Sequence, residues 1–243
     1  MKRFVIAVVA LGMIGSLAGA SDAYEAIKVD KGGTITGVVK FRGTPLVPEM
    51  IKITRDVEVC GKEPKFSEAL LVSQKGGLKN AVISLVDIKQ GKAWEAMDSP
   101  KLDQNGCRFI PHVLVLPAGV TFDLVNSDKI LHNFHTTSAI NPTLNKAQPK
   151  FKPVMKVDLK KENVLKPDLM KVNCDVHEWM NAWIIIADHP YYAVTDEDGS
   201  FTLKDVPPGT YTLQVWHETL GKHTKGVSVK EGTETKVSFE LSR

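Results

Sequence analysis

Cys174, His177 and Met180 place a thiol, an imidazole and a thioether within seven residues, at the spacing C-x2-H-x2-M. A second histidine, His132 in Leu131-His132-Asn133, stands upstream at the end of an expected strand. One thiolate, two imidazoles and a weak thioether are the donor set of a mononuclear copper centre that passes single electrons. The thiolate binds copper strongly in both oxidation states. Two imidazoles complete a trigonal plane that suits Cu(I) and Cu(II), and a long bond to methionine sulfur tunes the potential.

Three rival chemistries share some of these residues. Zinc accepts Cys and His, and C-x2-H is a zinc-like spacing. Structural zinc rarely uses methionine, however, and another strong ligand is lacking unless His135 turns inward. A dinuclear copper centre would need a second cysteine in the loop, which is absent. A Cys174–His177 nucleophile is open, although both side chains on so short a loop point more naturally at a shared ion than at a substrate.

The elements that must position these donors read as strands. Short β-rich runs recur between Gly and Pro punctuation: Thr34–Phe41, Ala81–Ile88, His112–Leu116, Thr121–Asn126, Val154–Leu159, Ala182–Ala187, Ser200–Leu203, Tyr211–Trp216 and Thr235–Leu241. Many alternate apolar and polar residues, the period of a half-buried strand. Lys225–Leu241 reads as a terminal hairpin turning at Glu231-Gly232. No long helical period occurs. The expected class is all-β, built as sandwiches.

From Phe109 the chain runs through Phe-x-Pro, a strand, an Ala118-Gly119 turn, a second strand ending in Asn126, and then His132-Asn133. This stretch resembles the front half of a cupredoxin, a Greek-key β-sandwich. Pro167–Cys174 would enter the metal loop and Ala182–Ala187 would leave it. The short C-x2-H-x2-M loop and His132-Asn133-Phe134-His135 are most similar to amicyanin-type members. The resemblance implies one type 1 copper ion held by His132, Cys174, His177 and Met180. It implies that Asn133 points its backbone N–H at the ligand sulfur, and that the edge of His177 lies exposed in an apolar patch, with Trp179 and Trp183 as the electron port. The implied function is electron transfer rather than catalysis, with c-type cytochromes or a periplasmic dehydrogenase as partners. Glu178 stands where amicyanins carry proline, which leaves the partner surface open. Two other functions stay in play: copper binding or delivery without redox cycling, and a structural sandwich with a vestigial copper domain.

The remaining histidines have plainer expected roles. Strand alternation sends His135 to the face opposite His132. His112 is expected at the surface or beside a disulfide. His189, His217 and His223 fall outside the cupredoxin-like stretch, and Trp216-His217-Glu218 suggests packing or hydrogen bonding at a domain junction.

Val194–Val215 carries Asp198-Gly199, a tight-turn dipeptide, and Pro207-Pro208-Gly209 leading into a strand. It resembles the carboxypeptidase-regulatory-like module, a small transthyretin-like sandwich. Gly33–Leu46 resembles the first strand and turn of the same module. The expected division is a leader over 1–20, an N-terminal β region over 28–98, the cupredoxin-like domain over 99–189 and the regulatory-like sandwich over 190–243. Whether the copper domain is inserted into that sandwich or follows in linear order stays open.

Lys2 and Arg3, an apolar run from Phe4 to Leu17 and Ala18-Gly19-Ala20 form an export signal, with cleavage expected after Ala20. The expected location is periplasmic or secreted, with no membrane span. Lys and Arg total 31 against 28 acids; with Lys2 and Arg3 removed, 29 remain against 28. That balance gives no hint of nucleic-acid or membrane affinity. Three cysteines in an exported chain leave one over. If Cys174 holds a metal, Cys60 and Cys107 remain as a disulfide pair; the alternative is two free buried thiols.

Overall fold

The structure is a computed structural model that describes residues 23–44 and 47–243. The expected leader over 1–20 lies outside the described residues. In chain order the elements are β1 (Glu25–Ala26), β2 (Gly33–Phe41), α1 (Val57–Cys60), β3 (Val82–Val86), β4 (Gln90–Gly91), β5 (Lys101–Gln104), β6 (Phe109–Ile110), β7 (Val113–Pro117), β8 (Thr121–Asn126) and β9 (His132–Thr137). They continue with β10 (Asn145–Gln148), β11 (Val154–Asp158), β12 (Asp168–Asn173), β13 (Asn181–Ala187), β14 (Tyr192–Val194), β15 (Ser200–Val206), β16 (Gly209–His217), β17 (Gly221–Val229) and β18 (Glu234–Leu241). The fold is all-β.

The sandwich that carries the metal-ligand candidates pairs a five-stranded sheet, β10-β9-β12-β13-β7, with a four-stranded sheet, β11-β8-β5-β6. Period-two burial decides which residues face inward. In β8, Phe122 and Leu124 point into the core, while Thr121, Asp123 and Val125 are more exposed. They meet Leu116, Phe134, Val172 and Ile184 from the facing sheet. Burying each large apolar side chain there contributes about 1.5–3 kcal/mol.

The second sandwich draws on both ends of the chain. Its four-stranded sheet runs β14-β3-β16-β17 and its three-stranded sheet β15-β2-β18. Strand β2 lies antiparallel to β15 and parallel to β18, while β3 pairs with β14 and β16. Ile35, Ile83, Leu213 and Phe239 fill the space between the two sheets. A smaller cluster of Val82, Val113, Ile185 and Trp216 joins the two sandwiches.

The expected terminal hairpin is corrected. The turn at Glu231-Gly232 is present, with Gly232 at φ 59°. Its strands separate, however: β17 joins β16 in one sheet and β18 joins β2 in the other. Val227 and Val229 on β17 and Phe239 and Leu241 on β18 are all buried in the shared core. Burying apolar residues from both strands between two sheets wins over pairing them in one.

Cys60 and Cys107 form a disulfide spanning 47 residues, and Cys174 is free and buried. Closing a loop of that length removes about 4 kcal/mol of chain entropy from the unfolded state.

Candidate metal centre

The loop after β12 turns sharply on itself. Met180 N–H donates to His177 O at 2.9 Å, and Cys174 N–H donates to Met180 O at 3.2 Å. These bonds bring Cys174, His177 and Met180 to one end of the sandwich, all three buried. His132, the first residue of β9, is also buried and shares its inward face with Phe134.

Ligand atoms of His132, Cys174 and His177 lie within 4.8 Å of one another. His132 Nδ1 stands 3.1 Å from His177 Nδ1, and Cys174 Sγ stands 3.8 Å from His177 Nδ1. First-row ions bond imidazole nitrogen at about 2.0 Å and thiolate at about 2.3 Å, so gaps of this size accept one ion among the three. Met180 packs in the same core cluster as Cys174.

The outer nitrogens settle which ring atoms face inward. His132 Nε2 lies 3.0 Å from Asp128 Oδ2, and His177 Nε2 lies 2.8 Å from Asp56 Oδ2. Each carboxylate takes the Nε2–H of its histidine and leaves the Nδ1 lone pair aimed at the centre. A carboxylate on the far side of a ligating imidazole fixes its tautomer and raises its basicity. The donor set and both tautomers therefore fit a soft-ligated copper ion. A second group, Cys107, Asp128 and His132, also lies within 4.8 Å, but its sulfur is committed to the disulfide.

Burial works against a charged Cys174, yet the neighbouring His132 ring and the backbone N–H groups of His177, Asn133 and Val176 hold its thiol below the usual range. The Asn133 N–H reaches the sulfur at 3.4 Å. The Asn133 side chain bridges outward, accepting from Asp175 N–H at 3.1 Å and donating to Asn145 at 2.7 Å. For His132, burial disfavours the charged form, but Asp128 and Cys174 outweigh it and push the pKa up. For His177, burial and the neighbouring His132 prevail over Asp56 and push it down.

Some of the expected residues stand where the sequence put them and others do not. The edge of His177 is not exposed: its side chain is 0% accessible, with Asp56 on its outer nitrogen. Trp179 stays beside the site, its ring 5.1 Å from His177 and its Nε1–H donating to Cys107 O. Trp183 faces the junction between sandwiches, where it donates to Glu218 at 3.0 Å and meets Trp216 at 4.9 Å. His112 is buried rather than at the surface, because Glu218 reaches its Nε2 from the second sandwich. His217 is buried close by. His135 points away from the centre to Asp175, 2.8 Å distant. His189 and His223 bond the carbonyls of Leu85 and Leu220.

Asp56 and Asp128 touch the two histidines, and the sequence reading named neither. Asp128 lies four residues before His132, a local signal that was available. Asp56 is 121 residues from His177, and no local pattern marks it.

The model of the carboxypeptidase regulatory-like domain family matches residues 180–242. The match begins in the metal loop, ahead of β14. No curated relative matches the sequence. Solved structures similar to this chain include cupredoxins and a copper enzyme. A mutant of amicyanin in its reduced Cu(I) form is 14% identical, covering 43% of this chain and 98% of its own, with a TM-score of 0.32. A purple cupredoxin from Nitrosopumilus maritimus is 14% identical, covering 37% of this chain and 100% of its own, with a TM-score of 0.30. The Cu-containing nitrite reductase from Thermus scotoductus SA-01 is 21% identical over 42% of this chain, with a TM-score of 0.30; the match spans 25% of the reductase.

Proposed function

We propose that this chain is an exported carrier of single electrons, holding one copper ion between His132, Cys174, His177 and Met180. The observation that carries this reading is the facing pair of Nδ1 atoms, 3.1 Å apart beside a buried thiol, with each Nε2 tied to its own carboxylate. Copper held by such donors supplies a one-electron couple tuned by a weak axial thioether.

The residues around it have separable tasks. Asp128 and Asp56 hold the two imidazoles in one tautomer and orientation. The Asn133 N–H and the loop amides stabilise the Cys174 thiolate. Phe134, Val172 and Ala182, buried in the same cluster, exclude water from the sulfur. Because these groups are fixed before an electron arrives, little rearrangement accompanies its transfer. Trp179, its ring tilted against His177 at 5.1 Å, is the favoured route to the surface. Partners of the expected class are c-type cytochromes or a periplasmic dehydrogenase. The export motif and the disulfide support an oxidising compartment, and among the described residues no helix is long and apolar enough to cross a membrane.

One observation favours the second reading, copper binding or delivery without redox cycling. The imidazole edge expected at the surface is covered by Asp56. The visible spectrum separates the two. With one equivalent of Cu(II) an electron carrier turns intensely blue or green and bleaches with ascorbate. A colourless complex, or colour that survives Cys174→Ala, defeats the electron-carrier reading.

A further inference from the structure

Asp56 reaches the metal centre from a segment that precedes the copper-site sandwich in sequence. It lies between β2 and β3, yet its carboxylate stands 2.8 Å from His177 Nε2. The Cys60–Cys107 disulfide ties this segment covalently to the sandwich. Cys60 N–H donates to Asp56 O at 2.8 Å, so the single turn of α1 fixes Asp56 relative to the sulfur bridge. Asp56 itself has φ 47° and ψ 43°, a left-handed conformation that Asp and Asn accept better than other residues with a Cβ.

The other half of the disulfide leads to the other histidine. Cys107 N–H donates at 2.7 Å to Asp128 Oδ2, the same oxygen that lies 3.0 Å from His132 Nε2. Gly106 N–H donates to Asp128 Oδ1 at 2.8 Å. One bridge thus joins two short chains of contacts: Cys60 to Asp56 to His177, and Cys107 to Asp128 to His132.

We propose that Asp56 is a positioning residue of the metal centre, and that the Cys60–Cys107 disulfide holds Asp56 and Asp128 against the two ligand histidines together. This rests on His132, Cys174, His177 and Met180 being a copper site. The Asp56 side chain is 39% exposed. Without an anchor, such a contact competes with water and with the freedom of its segment, and an exposed pair of this kind is worth little. The disulfide removes most of that freedom in advance. It also keeps Cys107 sulfur, which lies within 4.8 Å of the His132 and Asp128 ligand atoms, from acting as a competing soft donor.

An order of assembly follows. The Cys60 and Cys107 thiols give two protons and two electrons to a disulfide oxidant, which leaves as a dithiol, and the S–S bond forms. Tight metal uptake comes after that step.

Two measurements test the proposal. One is Cu(I) affinity by chelator competition. The other is the 15N signature of the His177 ring in metal-free protein. Asp56→Gly removes the carboxylate while suiting the left-handed backbone, and is expected to lower affinity about 10–100-fold. Asp56→Asn keeps the backbone and an acceptor oxygen, and should recover some of the loss. Cys60→Ser with Cys107→Ser should lower affinity at least as far, and Asp56→Gly should then add little more, because contacts in one chain are not additive. In the metal-free wild type the His177 proton should reside on Nε2, and Asp56→Gly should abolish that preference. Unchanged affinity and ring signature in Asp56→Gly, or fully additive losses, would overturn the proposal. If the double serine variant does not fold, the Asp56 variants with the disulfide intact decide alone. A wild-type chain that takes up no copper would overturn the copper site itself; an Asp56-dependent ring signature would then locate the failure in the metal rather than in the contact.

Discussion

Asp128 and His132 share a single carboxylate oxygen with the disulfide loop: Oδ2 stands 3.0 Å from His132 Nε2 and accepts Cys107 N–H at 2.7 Å. Burial opposes the negative charge, but the bonds from His132, Cys107 and Gly106 hold the Asp128 carboxyl below its usual range. Asp128→Asn drops the charge and offers one oxygen where two were used. Metal affinity should fall about 10–100-fold. The metal-free protein should also lose about 1–3 kcal/mol, because buried N–H groups lose partners. Chelator competition and urea unfolding of the metal-free chain measure the two effects separately.

The junction between the sandwiches should make the protein acid-sensitive apart from its candidate metal centre. Burial pushes the His217 pKa down to about 4, and its Nδ1 accepts Thr219 N–H, a bond only the neutral ring can make. Burial works against the Glu218 charge, yet the bonds from His112 and Trp183 hold its pKa below the usual value. Both folded values lie below the unfolded ones, so both contributions are present at higher pH and are lost on acidification. For His217 the window runs from about pH 6.5 down to about pH 4, and its contribution is on the order of 3 kcal/mol. The thermal midpoint of metal-free protein should fall across that window. His217→Gln should flatten the slope there, and an unchanged slope would remove His217 from the account.

The candidate donors were legible because three of them share seven residues and the fourth is followed by Asn133. Strands such as Thr121–Asn126 were legible because one face is buried and the residues alternate. Lys101–Gln104 was not, since four residues with Lys101 and Asp103 facing out carry too little pattern. The turn at Glu231-Gly232 was visible, but not that its strands diverge into different sheets; local turn chemistry says nothing of where a strand finds its partner. Cysteine counting left Cys60 and Cys107 as a pair. It could not reveal that the residue four before Cys60 would reach His177, because that contact is set by where the disulfide lands in space.

Met180 is buried and sits in the core cluster of Cys174, so its replacement can keep the shape of the site. Met180→Leu conserves volume and removes the weak sulfur donor. With three strong donors left, the intense colour of the Cu(II) complex should persist. Loss of a donor that favours the higher charge should raise the reduction potential, read by redox titration. Loss of colour would mean that Met180 holds the metal rather than tunes it.

Gly37 marks where β2 is pressed between β15 and β18. A Cβ there would stand 1.9 Å from Val237 O and 2.6 Å from Phe201 Cζ. The phenyl ring could shift, but the carbonyl belongs to the parallel ladder of β2 and β18, in which Gly37 pairs with Val237. Gly37→Ala must therefore separate strands that come from opposite ends of the chain. The expected cost is about 3 kcal/mol or more, at the upper end for overpacking. It should fall on the sandwich built by β2, β3 and β14–β18. The metal-site core of Phe134, Val172 and Ile184 contains no residue of β2. Copper colour at 25 °C should therefore survive while an early unfolding step appears in the melt. A single, unsplit transition in which colour and secondary structure vanish together would show that the two sandwiches stand or fall as one unit.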